Sequence, residues 1–161
     1  MKKYIIIGTS LSGKTTLVKY LRSTTDLPIS ELDEELTELN NGKFPLDVEY
    51  KHNVLFPKVL EKILNKSEII FFTNAWYFKQ EDLEDAKRRG FKILQLSVGL
   101  ETLKSRNEAR IKEGYEDMTQ YLEGMVKYQE DIKSSGVVDF VIDGEQLTEK
   151  VAEDFLEIIK E

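Results

Sequence analysis

Eight residues near the amino terminus, Gly8-Thr9-Ser10-Leu11-Ser12-Gly13-Lys14-Thr15, constrain this chain more than any other stretch. They fit the spacing G-x-x-x-x-G-K-[ST], and the flanks that give the spacing meaning are present on both sides. Before the motif lies Lys3–Gly8, a mostly apolar run that reads as a strand buried on both faces. After it, about Lys14 to Ser23, the spacing predicts a helix. Glycines let such a loop curl until successive N–H groups point at one place, next to the positive end of the helix dipole. Phosphate oxygens suit that place. Lys14 brings a full charge for β- and γ-phosphates, Thr15 a hydroxyl for Mg²⁺, and Thr16 continues the set into the helix. A glycine turn that merely carries a lysine needs none of this register. Residues 8–16 are therefore expected to hold the phosphates of a nucleoside triphosphate, with ATP and Mg²⁺ as cofactors.

Short β-branched runs alternate with longer helical ones along the rest of the chain. Residues 27–32 form the weakest strand candidate, with Pro28 suited to a strand's start or an edge, and 32–40 a short helix stopped by Asn40-Asn41-Gly42. Residues 48–65 have roughly helical spacing, kinked or begun at Pro57. Strands are expected at 69–73, 91–98 and 137–142, and helices at 80–89, 100–111, 118–134 and 146–160. Residues 112–117 break the helical pattern. The expectation is one α/β domain over 1–161, a doubly wound five-stranded parallel sheet.

Composition narrows the partners. Thirty acidic residues against 23 basic ones leave a net charge of −7, which disfavours non-specific nucleic-acid binding. A small cationic pocket is still compatible with that balance. With no cysteine there is no disulfide framework or thiolate zinc site, and one histidine excludes a histidine-rich metal site. The apolar run after Met1-Lys2-Lys3 is too short for a signal peptide, and no stretch reaches membrane-spanning length. A cytoplasmic protein without membrane or nucleic-acid partners, monomeric or homodimeric, is expected.

A GTPase would carry Asn-Lys-x-Asp, but Asn65-Lys66 continues into Ser67-Glu68. A motor-type ATPase usually ends its third strand in a magnesium-holding aspartate. Here Ile69-Ile70-Phe71-Phe72-Thr73-Asn74 has no carboxylate. Taken with the early loop, the length, Leu32-Asp33-Glu34 beginning 18 residues after Lys14, and Leu103-Lys104-Ser105-Arg106-Asn107-Glu108-Ala109-Arg110, the chain resembles the small-metabolite kinases of the P-loop class. That group contains shikimate, gluconate and adenylate kinases. The resemblance spans essentially the whole chain and implies the P-loop NTPase fold. It also implies an aspartate beside the acceptor hydroxyl at Asp33, one arginine packed on adenine and another reaching the transferred phosphate, here Arg106 and Arg110, and backbone around adenine at Asp143-Gly144-Glu145. The chain departs from shikimate kinases in having Asn74-Ala75-Trp76 where they have a glycine triplet. It also has no arginine in 48–65, where they carry one for the substrate carboxylate.

Each candidate has a bland counterpart. Asp33 accepts a proton or holds Mg²⁺ through water, or else caps the helix from Glu34 to Asn40. Arg106 and Arg110, four apart on one helix face, close with a lid at 112–117, or else form a solvated face with Glu101 and Lys104. Arg88 and Arg89 read as helix C-terminal cations. His52, a solitary polar residue between Lys51 and Asn53, reads as a surface residue, although Lys51 and His52 stand where the family resembled recognises its acceptor. Asn74, Trp76 and Tyr77 follow the third strand, at the edge where open α/β sheets bind ligands, or else pack a helix. Met118, Tyr121, Leu122, Met125, Tyr128 and Ile132 read as a core stripe. The leading expectation is an ATP-dependent phosphotransferase with a small-molecule acceptor, in which Lys14, Asp33, Arg106 and Arg110 are catalytic. The alternatives are a nucleoside or nucleotide kinase, and a nucleotide-binding sensor with little transfer.

Overall fold

In the computed structural model residues 2–74 and 77–160 are described. Five strands form one sheet: β1 (Lys3–Gly8), β2 (Ile29–Glu31), β3 (Ile69–Asn74), β4 (Lys92–Ser97) and β5 (Phe140–Asp143). Their order is β2-β3-β1-β4-β5, and every pairing is parallel. The all-isoleucine stretch explains why β1 is central. Ile5, Ile6 and Ile7 are all buried, a burial that only a strand covered on both faces provides.

The strand period of two divides the core between the faces. Ile5, Ile7, Phe71 and Ile93 pack with α2 (Leu32–Leu39), α4 (Phe56–Leu64) and α5 (Gln80–Arg88). Tyr4, Ile6, Phe72 and Leu94 pack on the other side with α1 (Lys14–Thr24) and α8 (Thr148–Ile159). Two further helices, α6 (Leu100–Lys112) and α7 (Thr119–Ser134), lie between β4 and β5 in the chain. The arrangement is the expected doubly wound α/β sheet. Register pairs Gly8 with both Asn74 and Leu96, so the motif leaves the carboxyl edge of the central strand. Among the described residues no helix is long and apolar enough to cross a membrane.

Three boundaries differ from expectation for identifiable reasons. The 48–65 stretch is a short helix α3 (Val48–Tyr50), a π-helical turn over Lys51–Leu55, and then α4. Pro57 has no N–H, and in a regular helix its ring would press on the carbonyl of Asn53. The turn before it is widened, with the Phe56 N–H reaching back to the Lys51 carbonyl. The last strand begins at Phe140 rather than 137, because the Asp139 carboxylate accepts the Ile93 N–H at 2.8 Å and occupies that ladder position. The cap of α2 is Glu31 and not Asp33. The Glu31 N–H donates to the Glu34 carboxylate at 3.2 Å, and Arg22 grips the same carboxylate through two 2.7 Å bonds. Asp33 falls inside the first turn, so its capping role is excluded.

Candidate active site

The loop from Gly8 to Lys14 is wound tightly enough to fit the sequence reading. Leu11 has φ 67° and Gly13 φ 95°, both left-handed, the kind of turn in which backbone amides form an anion-binding concavity. Gly8 matters for a different reason: a Cβ there would lie 2.7 Å from the Ser12 hydroxyl and would displace that side chain. The Lys14 ammonium donates to the Gly8 carbonyl at 2.9 Å, the Thr9 carbonyl at 2.6 Å and the Ser12 hydroxyl at 3.3 Å. Its pKa is lowered to about 8, chiefly by burial, with Asp33 and then Glu31 pulling the other way. A buried cation held by its own loop's carbonyls is a fitting receptor for an anion. A polyphosphate would satisfy the charge better than neutral carbonyls do.

Two clefts open on either side of this loop. One, of ≈ 320 Å³, is lined by Leu11, Ser12, Gly13 and Thr16 from the loop and α1, by Arg106, Ala109 and Arg110 from α6, and by Gly144, Gln146 and Thr148. Arg106 ties its walls together. One guanidinium nitrogen donates to the Leu11 carbonyl at 2.7 Å and the other to the Gly144 carbonyl at 3.1 Å. Gly144 is itself drawn against β4, its N–H donating to the Ser97 carbonyl at 2.7 Å. A Cβ there would come within 2.7 Å of Val98, so only glycine fits this approach. Arg110 sits at the rim with its guanidinium 4.0 Å from the Tyr115 ring centroid.

The second cleft, of ≈ 300 Å³, is lined by Ser10, Lys14, Thr15, Glu31, Leu32, Asp33, Phe72, Thr73, Asn74 and Tyr77. Of the acids clustered on α2, Glu34 is taken by Arg22 and Glu35 by Lys62 at 2.6 Å. Asp33 is exposed to the cleft and makes no side-chain hydrogen bond among the described residues. Glu31, which sequence reasoning passed over, stands beside it at the end of β2. Its pKa is raised by burial first, and further by Glu34 and Asp33, against Arg22 and Lys14. The signal was available: an acid ending a strand, two residues before Asp33, belongs to the same sheet edge as the loop. The Asn74 amide donates to the Ser10 hydroxyl at 3.1 Å, coupling β3 to the loop.

Tyr77 is the shared wall between this cleft and the Lys51–His52 region. Its ring stacks parallel to His52 at 4.6 Å, and the Lys51 ammonium lies 5.7 Å from its centroid. Trp76 lies outside the described residues. The segment 112–117 is exposed, and its far end is pinned. The buried Asn107 amide donates to Asp117 and to Thr119 at 3.0 Å each, and its oxygen accepts the Met118 N–H at 3.0 Å. Arg88 and Arg89, at the end of α5, pair with Asp85. Of the α7 stripe, Leu122, Met125 and Ile132 are buried while Tyr121 is exposed.

Among the described residues no cluster of three acids or histidines forms a metal cage. Thr15, Glu31 and Asp33 bring hard oxygen atoms to the lining of the second cleft, the donor type that Mg²⁺ takes. No protein-family model matches the chain, and no curated protein matches it. Solved structures do. Shikimate kinase from Aquifex aeolicus superposes with a TM-score of 0.72 at 22% identity, over 98% of this chain and 96% of that one. A gluconokinase from Sinorhizobium meliloti gives 0.67 at 16%, over 99% and 91%. Deoxyadenosine kinase from M. mycoides, solved with bound dATP, gives 0.63 at 18%, over 99% and 100%. The chain has the fold of the small-metabolite P-loop kinases, over essentially its whole length.

Proposed function

We propose that this chain is a single-domain ATP-dependent phosphotransferase for a small-molecule acceptor, working in the cytoplasm. The observation that carries the reading is the pair of clefts meeting at one phosphate loop. Leu11, Ser12, Gly13 and Thr16 face one, and Ser10, Lys14 and Thr15 face the other. A nucleotide sensor needs only the first. A transferase needs both, because donor and acceptor must meet at the γ-phosphate.

In this reading the base and ribose occupy the cleft bridged by Arg106, and the phosphates lie in the loop. Lys14 leaves its loop carbonyls for the β- and γ-phosphates. Thr15 would hold Mg²⁺ directly and Asp33 only through a bound water, which leaves the Asp33 carboxylate able to act on the acceptor; the ion would supply neutralisation of the polyphosphate charge. The acceptor hydroxyl enters between Asp33 and Tyr77. Its oxygen bonds to the γ-phosphorus as the bond from that phosphorus to the β,γ-bridging oxygen breaks, the bonding pair leaving on that oxygen as ADP, and the hydroxyl proton passes to the Asp33 carboxylate. Arg110, released from Tyr115, neutralises charge on the transferred group.

The test is ADP release measured against sugars, sugar acids, nucleosides and nucleotides. Acceptor-stimulated turnover that disappears in Lys14→Ala is expected. Tight ATP binding with no stimulated turnover across the panel would replace this reading with the sensor.

A further inference from the structure

The chain has five arginines, Arg22, Arg88, Arg89, Arg106 and Arg110, and each is engaged away from the acceptor cleft. Arg22 holds Glu34. Arg88 and Arg89 pair with Asp85 at the end of α5. Arg106 and Arg110 line the opposite cleft. Among the described residues the one lysine or arginine lining the acceptor cleft is Lys14, while Glu31 and Asp33 both line it. MgATP is itself a net anion and would draw Lys14 to its phosphates. Lys51 is not among the lining residues; its ammonium lies 5.2 Å from the Phe44 ring centroid and 5.7 Å from that of Tyr77.

An acceptor bearing phosphate or carboxylate would meet two carboxylates there with no guanidinium to receive it, the group best matched to such anions. The rest of the lining suits uncharged chemistry. The Ser10 hydroxyl can donate to a hydroxyl-bearing ligand, and the half-buried Tyr77 offers ring surface, while Phe72 and Thr73 are buried beneath them. Tyr77 is held flat by His52, whose ring is parallel within 1°. Burial and Lys51 push the His52 pKa down, so that ring is neutral at neutral pH and adds no positive charge for an anion.

We propose that the acceptor is a neutral hydroxyl compound with a planar ring, nucleoside-like in chemistry, that packs on Tyr77 and carries neither phosphate nor carboxylate. The inference rests on the transfer reading above and narrows its substrate class. Matched pairs test it: nucleosides against their 3′- and 5′-monophosphates, and aryl glucosides against aryl glucuronides. Two readouts are taken on the full chain, calorimetric binding in the presence of Mg²⁺ and ADP, and ADP release from MgATP. The neutral member of a pair is expected to bind, and to exceed its anionic partner in kcat/KM by ~100-fold, the cost of placing an uncompensated charge against the carboxylates. Tyr77→Leu should raise the acceptor KM by roughly tenfold while leaving the KM for ATP unchanged, because the ring contact is lost and the loop is untouched. Equal or better use of the anionic members overturns the proposal, and so does the absence of binding by every neutral member. Neutral compounds that bind without any release of ADP would uphold the ligand class and overturn the transfer reading instead.

Discussion

Replacing Arg106 by alanine removes the bridge that holds the nucleotide cleft together. Two charge-assisted hydrogen bonds are lost, to the Leu11 carbonyl at 2.7 Å and the Gly144 carbonyl at 3.1 Å. A bond to a charged group contributes ~1.5–3 kcal/mol when well shielded. Arg106 is half-buried, so solvent screening reduces the sum to about 1–3 kcal/mol for the pair. In a chain of this length each kcal/mol moves the melting temperature by ~2–4 °C, so Arg106→Ala should melt roughly 2–12 °C lower without nucleotide. The same loss frees the Leu11 carbonyl, at a residue with φ 67°, and loosens the loop against the segment after β5. Affinity for nucleotide should then fall by ~10–100-fold, at tenfold per 1.4 kcal/mol. The loss should be equal for ATP and ADP, since neither bonded carbonyl addresses the γ-phosphate. Calorimetric titration with both nucleotides and a thermal melt measure the two effects. Arg106→Lys keeps the charge but not the fork that spans both carbonyls, so it should recover only part of either. An unchanged melting temperature, or a loss for ATP exceeding that for ADP by tenfold, would refute the bridging argument.

Arg110→Ala should slow single-turnover transfer by about 3 kcal/mol of barrier while changing ATP affinity far less, as removal of a preorganised charge contact does; equal loss in both would make it a simple binding residue. Asp33→Asn should leave nucleotide binding within a few-fold and slow transfer by ~10²–10⁴. Glu34→Gln, which weakens the Arg22 pair, should lower stability and leave the rate intact, and the reverse pattern would count against this division of roles. The Lys14 pKa of about 8, lowered from 10.5, sets a pH window. ATP binding favours the charged form, so affinity should fall by up to ~tenfold per pH unit above about 8. Over the same window the nucleotide-free fold should gain stability with pH, because the unfolded lysine keeps its proton up to its ordinary value while the folded one has released it. Lys14→Met should flatten both profiles in titrations and melts, and persistence of the affinity slope would assign it to another group.

The phosphate loop and the order of strands and helices were legible because their causes are local. A loop of that spacing needs only its own glycines, and a run such as Tyr4–Ile7 is buried on both faces wherever the sheet is assembled. Boundaries were less legible where a side chain replaced a backbone partner. Asp139 takes a ladder position from β5, and Pro57 displaces the regular helical turn before it. The choice among the acids at the end of β2 and the start of α2 could not be read along the chain at all. Glu31, Asp33, Glu34 and Glu35 look interchangeable in sequence, yet Arg22 removes Glu34 and Lys62 removes Glu35, which leaves Glu31 and Asp33 facing the cleft. Residues 12 and 27 positions apart made that selection. In the same way, the sequence alone determined that Arg106 and Arg110 share a helix face. Only the folding of β5 beside β4 brought Gly144 and the loop to opposite ends of the Arg106 guanidinium, because pairing across a parallel sheet depends on the packing of the whole domain and not on any local pattern.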